Sequence, residues 1–170
     1  NMHNQIIATF GENPNNTSAD GVIAVISQAG QILREWRYPE VHWTIAFDST
    51  GERMSSISQE GGVRLWTTSG PDPLTWTDEG IVYSHENYSG VNKWFEGILI
   101  TAGWDSMVKM YDPVQDQVFR NIPVDGEVFS IAIDINGEGV IVGSGDVSTS
   151  TTGKIEFIDP FNETIVTSLT

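Results

Sequence analysis

Cysteine is absent from this 170-residue chain. Its absence excludes disulfides, thiolate metal sites, thiol nucleophiles and covalent haem attachment together. It does not fix the compartment, because a domain of this size folds without disulfide staples. Basic residues are scarce: 8 Lys and Arg stand against 23 Asp and Glu, for a formal net charge of -15. They form no stripe, and clustered cations are what phosphate-backbone binding draws on, so nucleic acid is not an expected partner. Acidity spread along a chain serves solubility, favours basic partners, and also suits a saline or extracellular setting. No apolar run approaches the about 20 residues that cross a bilayer. The opening NMHNQIIATF has neither the basic region nor the apolar core of a secretion signal. The chain reads as soluble, without membrane insertion, and leaves cytoplasmic and extracytoplasmic settings both open. An initial Met is missing too: the chain starts at Asn1, which suggests a processed, trimmed or excised product. Helical periodicity is lacking, with no convincing window of about 11 residues or more.

What is present is enough apolar surface for a packed core, 39% hydrophobic with 10% aromatic residues. The apolar residues come in short runs that repeat. The segments GVIAVIS, GVRLWT, VKMYD and GKIEFID end at positions 27, 67, 112 and 159, in steps of 40, 45 and 47. A second landmark recurs in VHWTIAFDSTGE (41–52) and VFSIAIDINGE (128–138), whose Asp48 and Asp134 lie two such steps apart. Shorter runs sit between the landmarks: QIIATFG, MSSIS, ILITAG and VIVGSG. A further run follows each repeat: QILREWRYP, LTWTDEG, QVFRNIPV and TIVTSLT. Alternating, β-branched runs punctuated by Gly, Asn, Asp and Pro predict antiparallel strands, four per period of about 43 residues. Prolines 39, 71, 73, 113, 123 and 160 are placed between strands.

Four short strands per repeat is the pattern of a β-propeller blade. At the residue level TAGWDSMVKMYDP (101–113) resembles a WD40 repeat: Ala102-Gly103, a turn Asp105, the alternating Val108 and Met110, then Tyr111-Asp112 in place of Trp-Asp. The resemblance implies that His85 stands for the histidine preceding a blade's first strand. It further implies that His85, Thr101, Asp105 and Tyr111 form a structural hydrogen-bond set pinning that blade's turns. The other repeats are looser matches, ending Leu65-Trp66-Thr67, Phe157-Ile158-Asp159 and Ile26-Ser27. The expected fold is all-β: one WD40-like propeller region over residues 1–170, in repeats of about 1–40, 41–80, 81–124 and 125–170.

The first repeat begins at a second strand, so 15 strands are expected where four full blades need 16, and the missing one is innermost. Closed propellers carry about 4 to 8 blades. The chain is therefore expected to belong to a larger propeller, to share a ring with a copy of itself or a second chain, or to close an imperfect four-bladed ring. Residues 12–20 and 146–152 are read as matching polar loops projecting from one face.

Catalytic patterns are weak. His3, His42 and His85 lack a third ligand at metal-binding spacing, and no metal or cofactor is expected. Asp78-Glu79, and Asp125 with Glu127, are the carboxylate pairs a glycosidase would need. In an acidic chain such neighbours read first as solvated turn residues. GSGD (143–146) lacks the Lys and helix of a phosphate loop. DSTG and DING offer oxygens for at most a weak calcium site. Four sequons, at Asn15, Asn16, Asn87 and Asn162, leave glycosylation open.

GVIAVISQAGQILREW is similar to the repeat of quinoprotein propellers, although Trp36 follows Gly30 at longer spacing than that repeat and the vicinal disulfide of many such enzymes cannot form. The expected function is a non-catalytic scaffold for protein partners, basic ones included. The alternative is a piece of an extracytoplasmic quinoprotein-like or carbohydrate-active propeller enzyme. Trp43, Asn92 and Phe129, taken as the second positions of three innermost strands, are the candidate partner anchors.

Overall fold

The computed structural model describes residues 5–11, 21–70, 72, 75–134, 139–146, 153–159, 162 and 164–169. The loops expected at 12–20 and 146–152 lie outside them except for Asp146, as does DING after Asp134. No α-helix occurs among the described residues, and no helix is long and apolar enough to cross a membrane.

Among the described residues fifteen strands form four antiparallel sheets. The first sheet holds β1 (Gln5–Gly11), β2 (Gly21–Ser27) and β3 (Ile32–Tyr38). The second holds β4 (His42–Phe47), β5 (Arg53–Ser58), β6 (Gly62–Thr67) and β7 (Thr77–Ser84). The third holds β8 (Ser89–Phe95), β9 (Ile98–Gly103), β10 (Met107–Asp112) and β11 (Gln117–Pro123). The fourth holds β12 (Glu127–Ile133), β13 (Val140–Gly145), β14 (Gly153–Asp159) and β15 (Thr164–Leu169). Each sheet is a meander, with strands hydrogen-bonded in chain order. Pro123 ends β11 rather than following it, a position where a missing donor breaks no rung.

Successive sheets touch through β4, β8 and β12, which meet β1, β4, β5, β8 and β9 of the preceding blades. These are the innermost strands. Neighbour relations run from first sheet to fourth, and among the described residues no comparable contact joins the fourth back to the first.

The central strands β5, β6, β9 and β10 are buried on both faces, which explains their near-continuous apolar text. Between the first and second blades lie Ile23, Val25, Met54 and Trp66. Between the second and third lie Ile57, Val63, Leu65, Leu99 and Tyr111. Between the third and fourth lie Ile100, Val108, Met110, Val128, Val142 and Ile158. Burying about 25 cal/mol per Å² of apolar surface at each joint holds neighbouring blades together.

One glycine is set by geometry. Gly61, in the β5–β6 turn, has φ +87, and an added Cβ would fall 2.7 Å from the carbonyl oxygen of His85. The Gly61 carbonyl accepts the His85 N–H at 3.0 Å. The tip of one blade is thereby tied to the entry of the next, at a left-handed position that favours glycine.

Candidate functional site

The candidate side chains gather at the end where β4, β8 and β12 begin and where the β5–β6 and β9–β10 turns lie. A buried polar chain of the third blade organises this end. His85 Nδ1 lies 2.9 Å from both Asp105 carboxylate oxygens, and His85 Nε2 lies 2.9 Å from Thr101 Oγ1. Thr101 Oγ1 is also 2.8 Å from the Tyr83 hydroxyl. One assignment satisfies every group: Tyr83 O–H donates to Thr101, Thr101 O–H donates to His85 Nε2, and Nδ1–H donates to Asp105. Burial pushes the Asp105 carboxyl up, but the hydrogen bond from His85, the Glu86 N–H and the Lys109 charge outweigh it, and the net shift is downward. Burial raises the Tyr83 phenol, which therefore stays a donor.

His85, Thr101 and Asp105 thus converge, but Tyr111 does not join them. Its hydroxyl donates to Asp116 at 2.7 Å, and its ring packs on Tyr83 with centroids 5.2 Å apart. Tyr83 takes the hydrogen-bonding place, because the outermost strand of the second blade reaches the polar centre and β10 does not aim its hydroxyl there.

The second blade fills the corresponding space differently. Ser56 pairs with Arg64 as Thr101 pairs with Lys109. Ser56 Oγ lies 2.7 Å from His42 Nδ1. Arg64 Nη1 donates to both Asp78 oxygens at 3.0 Å, and its guanidinium stacks 4.2 Å over the Tyr38 ring. The Tyr38 hydroxyl donates to Asp78 at 2.6 Å. His42 Nε2 is buried without a hydrogen-bond partner, 3.8 Å from Glu40. Burial first, then the Arg64 charge, lowers the His42 pKa to about 4.

The other acidic candidates are also engaged. Glu79 accepts from Thr67 Oγ1, Asp125 is paired with Lys154, and the Asp48 carboxylate caps its own turn through Thr50, Glu52 and Arg53. Among the described residues no group of three or more His, Asp or Glu is arranged to hold a metal.

The proposed anchors separate. Trp43 is 58% exposed and Phe129 49%, whereas Asn92 is 5% exposed and donates from Nδ2 to Ser55 O at 3.2 Å and Ser55 Oγ at 3.0 Å. Strand register explains why. In β4, His42 pairs with Ser58 and Thr44 with Ile57, so Trp43 bulges out unpaired. In β12, Val128 pairs with Ser144 and Ser130 with Gly143, leaving Phe129. In β8, Ser89 pairs with Gly103 and Val91 with Ala102, leaving Gly90. The third equivalent is Gly90, not Asn92.

Two rim aromatics had no sequence signal beyond their identity. Tyr88, 44% exposed, packs on Trp104 at 5.3 Å, and Trp104 packs on Phe129 at 6.1 Å, making an aromatic shelf from the third blade to the fourth. Beside it a shallow groove of about 270 Å³ is lined by Gln59, Glu60, Glu86, Asn87 and Tyr88. Among the described residues neither the Glu60 nor the Glu86 carboxylate has a hydrogen-bond or ion-pair partner, and both residues are exposed.

No family model matches the chain. It is 28% identical over 106 residues to the Periodic tryptophan protein 2 homolog of Dictyostelium discoideum, a match covering 61% of this chain and 11% of that one. It superposes on the crystal structure of the WD40 domain from Toxoplasma gondii coronin with a TM-score of 0.79 and 14% identity, over 98% of this chain and 43% of that chain. The chain therefore spans about one ninth of the first protein and less than half of the second. One three-stranded and three four-stranded antiparallel sheets in series and this superposition give the same result: the chain has a β-propeller fold like that of this WD40 domain.

Proposed function

We propose that the chain is a non-catalytic WD40-like scaffold for protein–protein interaction and that its partners present basic segments. The observation that carries this reading is the rim itself: exposed Trp43, Tyr88 and Phe129 stand at the end that also holds the unpaired carboxylates of Glu60 and Glu86. Exposed aromatics supply binding energy at low entropic cost, and unpaired charge supplies steering and sign selectivity. Residues 1–170 act as one region in this reading. Because the fourth sheet does not return to the first among the described residues, a further copy, chain or segment completes the ring.

Peptides of about 12 residues, one set rich in Lys and Arg and a matched set rich in Asp and Glu, provide the test by calorimetry. The basic set is expected to bind, the acidic set not, and raising salt from about 50 to about 200 mM should weaken binding several-fold by screening. Failure of every basic peptide to bind would overturn the reading.

A further inference from the structure

The bulge shared by β4, β8 and β12 carries Trp43, Gly90 and Phe129. In the outer two blades an aromatic side chain projects at this position. In the middle blade the place is vacant, since a Cβ built on Gly90 would meet nothing within 4 Å. Unlike Gly61, Gly90 does not have a positive φ, so no backbone constraint calls for glycine there. The vacancy opens beside the Tyr88–Trp104–Phe129 shelf and on the blade whose entry loop, with Glu86 and Tyr88, lines the acidic groove.

We infer that Gly90 forms the floor of a socket for a large apolar side chain of a basic, extended peptide. A flanking Lys or Arg of that peptide lies in the Glu60–Glu86 groove against Tyr88. This deepens the scaffold reading and rests on it. The occupant follows from the chemistry at hand. The socket lies between blades bearing Trp43 and Phe129 and next to the aromatic shelf, which suits a ring or branched aliphatic side chain. The neighbouring charges are both negative and unpaired, in a chain of net charge -15, which selects a cationic neighbour and repels an acidic one.

The test uses fluorescence anisotropy with two labelled basic peptides that differ at one central position, Trp in one and Ser in the other. Wild type is expected to bind the Trp peptide about tenfold more tightly than the Ser peptide. Gly90→Trp, which supplies from within the aromatic that the other two bulges carry, should abolish that preference while leaving the thermal midpoint unchanged. Gly90→Val serves as the smaller filling variant should Trp disturb folding. Glu60→Gln with Glu86→Gln should weaken both peptides about fivefold and flatten their salt dependence. If wild type binds the two peptides equally, or if the filled variants keep the Trp preference, the socket is overturned and the scaffold reading stands. If neither peptide binds wild type, both fall.

Discussion

Asp105→Ala is expected to destabilise the chain by about 3 kcal/mol, the upper end of the typical loss when a buried donor is left without its acceptor. For a chain of this size that lowers the thermal midpoint by about 6–12 °C. Asp105 accepts from His85 Nδ1, from the Glu86 N–H at 3.2 Å and from the Met107 N–H at 3.3 Å, with Lys109 Nζ 4.0 Å away. Its removal leaves the buried His85 N–H without an acceptor and frees the turn between β9 and β10. The paired variants Asp105→Ala and His85→Ala should then be strongly non-additive, coupled by about 1–3 kcal/mol in a double-mutant cycle. Tyr111→Phe gives the contrast: its hydroxyl bonds only Asp116 on an exposed turn, so its cost should stay below about 1 kcal/mol. Additive effects of Asp105 and His85, or a Tyr111→Phe loss as large as that of Asp105→Ala, would contradict the polar chain as drawn.

The second large effect is a pH dependence seated at His42. In the unfolded chain its imidazole takes up a proton as pH falls through 6.5, but in the folded chain burial and Arg64 delay uptake until about 4. Between those values the unfolded state binds more protons, so stability rises with pH. The stabilisation is complete above pH 6.5, falls by about 1.4 kcal/mol per pH unit below it, and reaches a loss of about 3 kcal/mol near pH 4. The neighbouring charges, Arg64, Asp78 and Glu40, are already paired with one another at neutral pH. Urea unfolding at several pH values between 7 and 4 checks this: His42→Gln should unfold with a shallower pH slope than wild type. Parallel slopes would contradict the assignment.

The strands were largely legible from the chain's text. GVIAVIS and GVRLWT match β2 and β6 residue for residue, because glycine turns and alternating burial leave their period in the residues. The meander order followed from short connections. The polar chain was legible where the third repeat keeps the WD40-like text, at His85, Thr101 and Asp105. Tyr83 was not, because it belongs to the preceding blade and no within-repeat pattern includes it. The Arg64–Asp78–Tyr38 cluster was hidden for a related reason: it spans the first and second blades, joining residues 40 positions apart. Asn92 was misplaced because a bulge adds a residue without any mark in the sequence. Matching Asn92 to Trp43 and Phe129 moved the reading along β8, and only the pairing of Ser89 with Gly103 and Val91 with Ala102 fixes the register at Gly90.

The most direct measurement of the central claim is hydrogen exchange along the chain with and without a basic peptide. The account predicts that protection rises at residues 59–60, 86–90, 104 and 129, on one end of three successive blades, and changes little along the outermost strands β7 and β11. Protection confined to those outer strands, or no protected segment under saturating peptide, would contradict an interaction scaffold that works through this rim.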